Sequence, residues 1–101
     1  MECYNLLNLR MVVFERVRIT DDAGNQIREH PEILNEEFVV ALVLSVPRSK
    51  RDYYQPDRFA IRANRRDRRG NWKTVLVRVA EINTLMNVEY VVLLVHVEYR
   101  N

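Results

Sequence analysis

The alternation of apolar and polar side chains is cleanest in the second half of the chain, where it predicts strands. Between Arg58 and Asn64, Phe59, Ile61 and Ala63 face one way while Arg58, Arg62 and Asn64 face the other. A period of two belongs to a half-buried strand with a charged outer surface. Trp72 to Ile82 returns with Val75, Val77 and Val79 on one side and Leu76, Ala80 and Ile82 largely on the other. Between the two runs, Arg65 to Asn71 makes a hairpin connection, where Gly70-Asn71 supplies the residues a tight reversal needs. After a second turn at Asn83 to Asn87, Val88 to Tyr99 forms the last and longest strand. Strict alternation puts Val91, Leu93, Val95, Val97 and Tyr99 on one of its faces.

The first half offers less contrast. Phe38 to Val46 is apolar on both faces and rich in β-branched residues, which predicts a central, doubly covered strand stopped by Pro47. Residues 6–20 read as another strand, with a bulge at Glu15 and Arg16 where the pattern changes face. A helix competes for Leu6–Phe14. The short polar residues and Gly24 within Asp21 to Asn25 predict a turn, after which Gln26 to Arg28 begins a short returning strand. Pro31 to Asn35 suits one helical turn. The sum is an all-β domain, or a mainly β one with one short helix. It is expected to be a small antiparallel sandwich or partly closed barrel of five to six strands. Two runs apolar on both faces favour two layers over one open sheet. The 101 residues suit a single domain.

Composition adds little to that frame. With 48% hydrophobic residues there is material for one core, and a lone Cys3 excludes an intramolecular disulfide framework. The opening Met1-Glu2-Cys3-Tyr4 is not a secretory signal, and Phe38–Leu44 and Tyr90–Val95 are far shorter than the ~20 apolar residues of a membrane helix. A soluble, intracellular protein, cytoplasmic or within a virion, is the expectation, with no membrane partner.

Charge changes the picture more. Residues 48–73 hold ten of the sixteen Lys+Arg and three of the fourteen acids, net +7, while the remaining chain is net −5. Arginine accounts for fourteen of the sixteen bases, and its planar fork both grips phosphate and stacks on rings. Tyr53, Tyr54, Phe59 and Trp72 are interleaved with the cations. Cations alternating with flat rings suit a polyanion that carries stackable bases. Arg58, Arg62, Arg65, Arg66, Arg68, Arg69 and Lys73 are the candidate phosphate contacts. Tyr53, Tyr54 and Trp72 are the candidate stacking surfaces, while Phe59 points towards the core.

Catalytic constellations are thin. There is no glycine-rich phosphate loop, zinc-type Cys/His spacing, H-E-x-x-H or G-x-S-x-G, so neither a cofactor nor a metal is implied. Serine occurs only at Ser45 and Ser49, and an acid–base pair of His30 and His96 needs the tertiary fold to unite it. One family comparison arises. A basic hairpin followed by NWKTVLVRV, a turn and YVVLLVHVEYR resembles, over residues 71–100, the end of small bacterial RelE/ParE-type toxins. Those proteins cleave ribosome-bound mRNA or poison gyrase, and the resemblance implies a small ribonuclease in which His96 takes part.

The leading expectation is a non-enzymatic module presenting an arginine-rich hairpin to RNA or single-stranded DNA. The alternative is a protein–protein, self-assembling or inhibitory module whose basic patch meets an acidic protein partner. The opposite charges of the two parts of the chain also suit a homo-oligomer. Small viral or phage-encoded proteins often take that form.

Overall fold

The computed structural model describes residues 13–99; Cys3 and the part of the first predicted strand at Leu6–Val12 lie outside them. The elements run β1 (Phe14–Ile19), α1 (Asp21–Arg28), α2 (Glu36–Ser45), β2 (Asp52–Gln55), β3 (Arg58–Arg66), β4 (Trp72–Asn83) and β5 (Asn87–Tyr99), with a single 3-10 turn at Arg48–Lys50. All five strands join one sheet in the order β1-β5-β4-β3-β2. Neighbours from β2 to β5 are antiparallel, and β1 lies parallel to β5. The described chain is therefore mainly β, but as one open mixed sheet rather than an antiparallel sandwich or barrel. Its second layer is helical.

The three long strands fall where alternation places them. The largest correction is at Phe38–Val46, which is not a central strand but most of α2. An apolar run cannot by periodicity alone be told from a buried helix segment. The deciding signals lie at its start. The Asn35 side chain accepts the Phe38 N–H at 2.7 Å, and Glu36 and Glu37 place negative charge in the first turn. Val39 and Val43, one turn apart, are fully buried against the sheet.

Asp21–Arg28 is likewise a helix, not a turn and a returning strand. The Thr20 hydroxyl accepts the Ala23 N–H at 3.2 Å and donates to the Val92 carbonyl at 3.0 Å, so one side chain starts α1 and ties it to β5. Ala23 and Ile27, four apart, form its buried stripe. The expected bulge at Glu15–Arg16 is absent, because β1 pairs with β5 in continuous register from Phe14 to Ile19.

Instead the irregularity lies between β4 and β5. Arg78 pairs with Leu94 and Val79 with Val92, so Leu93 is an extra residue and the strict alternation of β5 is broken. The core side runs Val88, Tyr90 and Val92, then Val95, Val97 and Tyr99. Beside the shift, the Val95 N–H donates to Gln26 Oε1 of α1 at 2.7 Å. One core results, in which Ala23, Ile27, Ile33, Leu34, Val39 and Val43 meet Phe59, Val75, Val77, Val79 and Val92 of the sheet. Each of the larger side chains contributes about 1.5–3 kcal/mol by leaving water.

Candidate nucleic-acid interface

The pleat of the sheet sorts the basic stretch into two populations. Phe59, Ile61, Ala63 and Arg65 of β3 point to the helical layer, and Arg58, Ala60, Arg62, Asn64 and Arg66 point away. On the helix-free face Arg58, Arg62 and Arg66 recur every four residues, about 13 Å apart along the strand. Arg78 joins them from β4, opposite Ala60 and diagonal to both Arg58 and Arg62. Two further cations, Arg16 and Arg18, come from β1, on the same face through their pairing with Glu89 and Val91. Ala60, Leu76 and Val91 form a buried floor of shorter side chains among these long ones.

Aromatic rings edge the same face. Tyr54 and Trp72 are each about half exposed. Arg78 lies 5.6 Å from the centroid of Tyr54 and Arg66 5.4 Å from that of Trp72, so each ring has a cation beside it. Some of the charge is locally offset. Arg62 meets Asp52 at 3.6 Å, and Arg16 and Arg18 meet Glu89 at 3.4 and 3.7 Å. Arg58, Arg66, Arg68, Arg69 and Arg78 form no ion pair with any acid among the described residues.

Three of the expected contact residues face the other way. Arg65 stacks 4.0 Å from the Phe38 ring centroid and donates through Nε to the Ile33 carbonyl at 2.8 Å, clamping the start of α2 to the sheet. Lys73, opposite Arg65 in the ladder, is only 5% exposed. Its Nζ lies 3.7 Å from Asp67, 3.9 Å from Glu32 and 4.4 Å from the Tyr99 ring centroid. Tyr53 packs on Phe59 and gives its hydroxyl hydrogen to Glu81. Being on β3, β4 and β2 at positions of the opposite parity, these side chains cannot share a surface with Arg58 and Arg62.

Tyr53 belongs to a buried polar network that pattern reading missed. Glu81 Oε1 accepts from Tyr53 and from Arg51 Nη1 at 3.3 Å, and Oε2 accepts from Asn83 at 2.9 Å. Arg51 also donates to the Tyr90 hydroxyl at 3.1 Å and lies over the Phe59 ring. Burial pushes the Glu81 carboxyl up, but the hydrogen bonds from Tyr53 and Asn83 and the charges of Arg51 and Arg48 outweigh it and hold the group below its ordinary value. Burial and the bond to Glu81 raise the Tyr53 phenol, which keeps its proton in place as a donor. Thus Arg48 and Arg51, counted as part of the basic stretch, serve instead to fasten the segment after α2. Glu81 shares the parity of Val75, Val77 and Val79 in β4, and a carboxylate in line with those core-facing valines is the one sequence sign of such a network.

The hairpin tip is built by Asp67. Its Oδ1 accepts the N–H groups of Arg69 and Asn71, both at 2.9 Å, and Gly70 adopts φ +82° to close the turn. These hydrogen bonds from Asn71 and Arg69, with Lys73 nearby, hold the Asp67 carboxyl below its usual range despite some desolvation. Arg68 and Arg69 are left exposed at the tip. Beside them lies an open groove of about 570 Å³, also lined by Glu32, Asp67, Trp72, Lys73 and Tyr99.

The two histidines are not brought together. His30 sits in the helical layer, 3.4 Å from Glu32, while His96 pairs across from Leu76 and is exposed on the opposite face of the sheet. Among the described residues no three His, Cys, Asp or Glu side chains gather as a metal-binding group, and no helix is long and apolar enough to cross a membrane. Comparison with protein-family models, with curated proteins and with solved structures finds no match to this chain.

Proposed function

We propose that this protein is a non-enzymatic binding module that takes RNA or single-stranded DNA across the helix-free face of its sheet. The observation that carries the reading is the placement of Arg58, Arg62, Arg66 and Arg78 on one face with Tyr54 and Trp72 beside them. Guanidinium groups on a rigid sheet supply phosphate contacts, and half-exposed rings supply stacking worth about 1–3 kcal/mol per base. The hairpin tip extends the cationic surface through Arg68 and Arg69. Relative to the expected set, the working surface loses Arg65, Lys73 and Tyr53 and gains Arg78.

Anisotropy of labelled single-stranded RNA and DNA in a salt series tests this. Affinity is expected to fall steeply with salt, with a log–log slope of about −0.7 for each phosphate contacted. Arg58→Ala/Arg62→Ala/Arg66→Ala/Arg78→Ala should abolish binding while leaving the circular dichroism spectrum intact. Full retention of binding in that variant, or none in the parent at low salt, removes the proposal and favours an acidic protein partner. RNA shortened on incubation, but not by His96→Ala, would point to the ribonuclease alternative.

A further inference from the structure

The cations of the helix-free face stand in a row with a regular interval. Arg58, Arg62 and Arg66 are exposed on β3 about 13 Å apart, with the short side chains of Ala60 and Asn64 between them. The backbone of an extended single strand advances about 6–7 Å per nucleotide, so the interval matches every second phosphate. Asp52 does not close the row. It lies 3.6 Å from Arg62 with both side chains more than half exposed, and an ion pair so solvated is weak enough for a phosphate to displace it.

A ring stands at each end of the row. Trp72 pairs with Arg66, and Tyr54 lies in β2 level with Arg58 and Phe59, its ring beside Arg78. These two levels are about 25 Å apart along β3, a distance an extended strand covers in about four steps. Charge favours this direction over a path across the sheet. Beyond β4 the same face carries the exposed Glu98, opposite Thr74, and Glu89, opposite Ile82. Arg16 and Arg18 on β1 are already engaged by Glu89. A polyanion crossing from β3 towards β1 would meet these carboxylates, whereas one lying along β3 meets a cation at every second phosphate.

From this geometry we infer that the protein takes a single-stranded segment of about five nucleotides lying along β3, its two end bases stacked on Tyr54 and Trp72 and its phosphates on Arg58, Arg62 and Arg66. The inference rests on the nucleic-acid reading above and gives that site a length, a direction and two base positions. The inner bases have no ring to stack on, so they contribute little. The full chain is tested with unlabelled oligo(U) of two to ten nucleotides, competing against a labelled oligo(U) decamer followed by anisotropy. Pentamers carrying one abasic nucleotide at each position in turn are then compared.

The pentamer is expected to bind at least tenfold more tightly than the trimer, which reaches only one ring. Base removal at either end of the pentamer should weaken binding at least fivefold, and at its centre less than twofold. Trp72→Ala should make one end indifferent to base removal and Tyr54→Ala the other, which also fixes the polarity of the strand. Both rings are about half exposed, so neither substitution should unfold the protein. A trimer as tight as the pentamer, a central base as costly to remove as an end base, or end effects that survive in both variants overturns the path along β3 and spares the binding face. No binding of the decamer overturns the two together.

Discussion

Arg65 spends its guanidinium inside the protein, over Phe38 and on the Ile33 carbonyl, whereas Arg62, three positions earlier, is largely solvent-facing beside Asp52. Their substitutions should separate cleanly. Arg65→Ala is expected to lower stability by about 1–2 kcal/mol, from a lost hydrogen bond and a lost cation–π contact, with polynucleotide affinity changed less than twofold. Arg62→Ala should leave a urea melt within about 0.5 kcal/mol and weaken binding instead. Glu81 makes a sharper case, because its removal strands the nearly buried Arg51 guanidinium. Glu81→Gln should cost about 2–3 kcal/mol in the same melt. Its pH dependence has a definite sign. A carboxyl held below its ordinary 4.5 stabilises fully above that value and loses the contribution as pH falls through the lower, folded value. Stability should therefore drop on the acid side of pH 4.5 in the parent and less steeply in Glu81→Gln. From sequence the alternation ends at Asn64 and leaves Arg65 in the hairpin connection; β3 instead runs on to Arg66, and that extension puts Arg65 on the face opposite Arg62. The partners of Glu81 come from β2, β5 and the segment before β2, and no local pattern names them.

The β3–β4 hairpin and α2 show why some elements are legible and others are not. The hairpin depends on chemistry within five residues. Asp67 collects two N–H groups and Gly70 takes a left-handed conformation that other residues adopt at a cost. Gly70→Ala should destabilise by about 1–2 kcal/mol, and a built Cβ would also meet an Arg66 guanidinium nitrogen at 3.2 Å. Thermal melting checks it. In α2 the opposite holds. Its β-branched residues favour a strand by propensity, and the helix stands on its Asn35 cap and on burial of Val39 and Val43 under a sheet built mostly from later residues. Asn35→Ala should cost about 1 kcal/mol, seen as a lower urea midpoint with an unchanged slope. A helix that relies on tertiary burial in this way reads as a strand until its partner is known.

Across the whole molecule, electrostatics should govern association. Arg58, Arg62, Arg66 and Arg78 lie on one open face, so removing them one at a time should flatten the salt dependence in steps of about 0.7 in the log–log slope. Unequal steps would identify which of them reach phosphate. The period-two pattern and Gly70 sufficed to place β3, β4, β5 and their hairpin, and parity sufficed to send Arg58 and Arg62 to a common side. These are local consequences of backbone geometry, in which neighbouring side chains alternate and a turn needs a particular residue. Three other features required the folded chain. The parallel pairing of β1 with β5, the helical identity of Phe38–Ser45, and the withdrawal of Arg65, Lys73 and Tyr53 into the helix-side layer all join residues far apart in sequence. Each depends on which apolar surface is left for a segment to cover once the sheet exists. That is a property of the assembled core, and local periodicity carries no record of it.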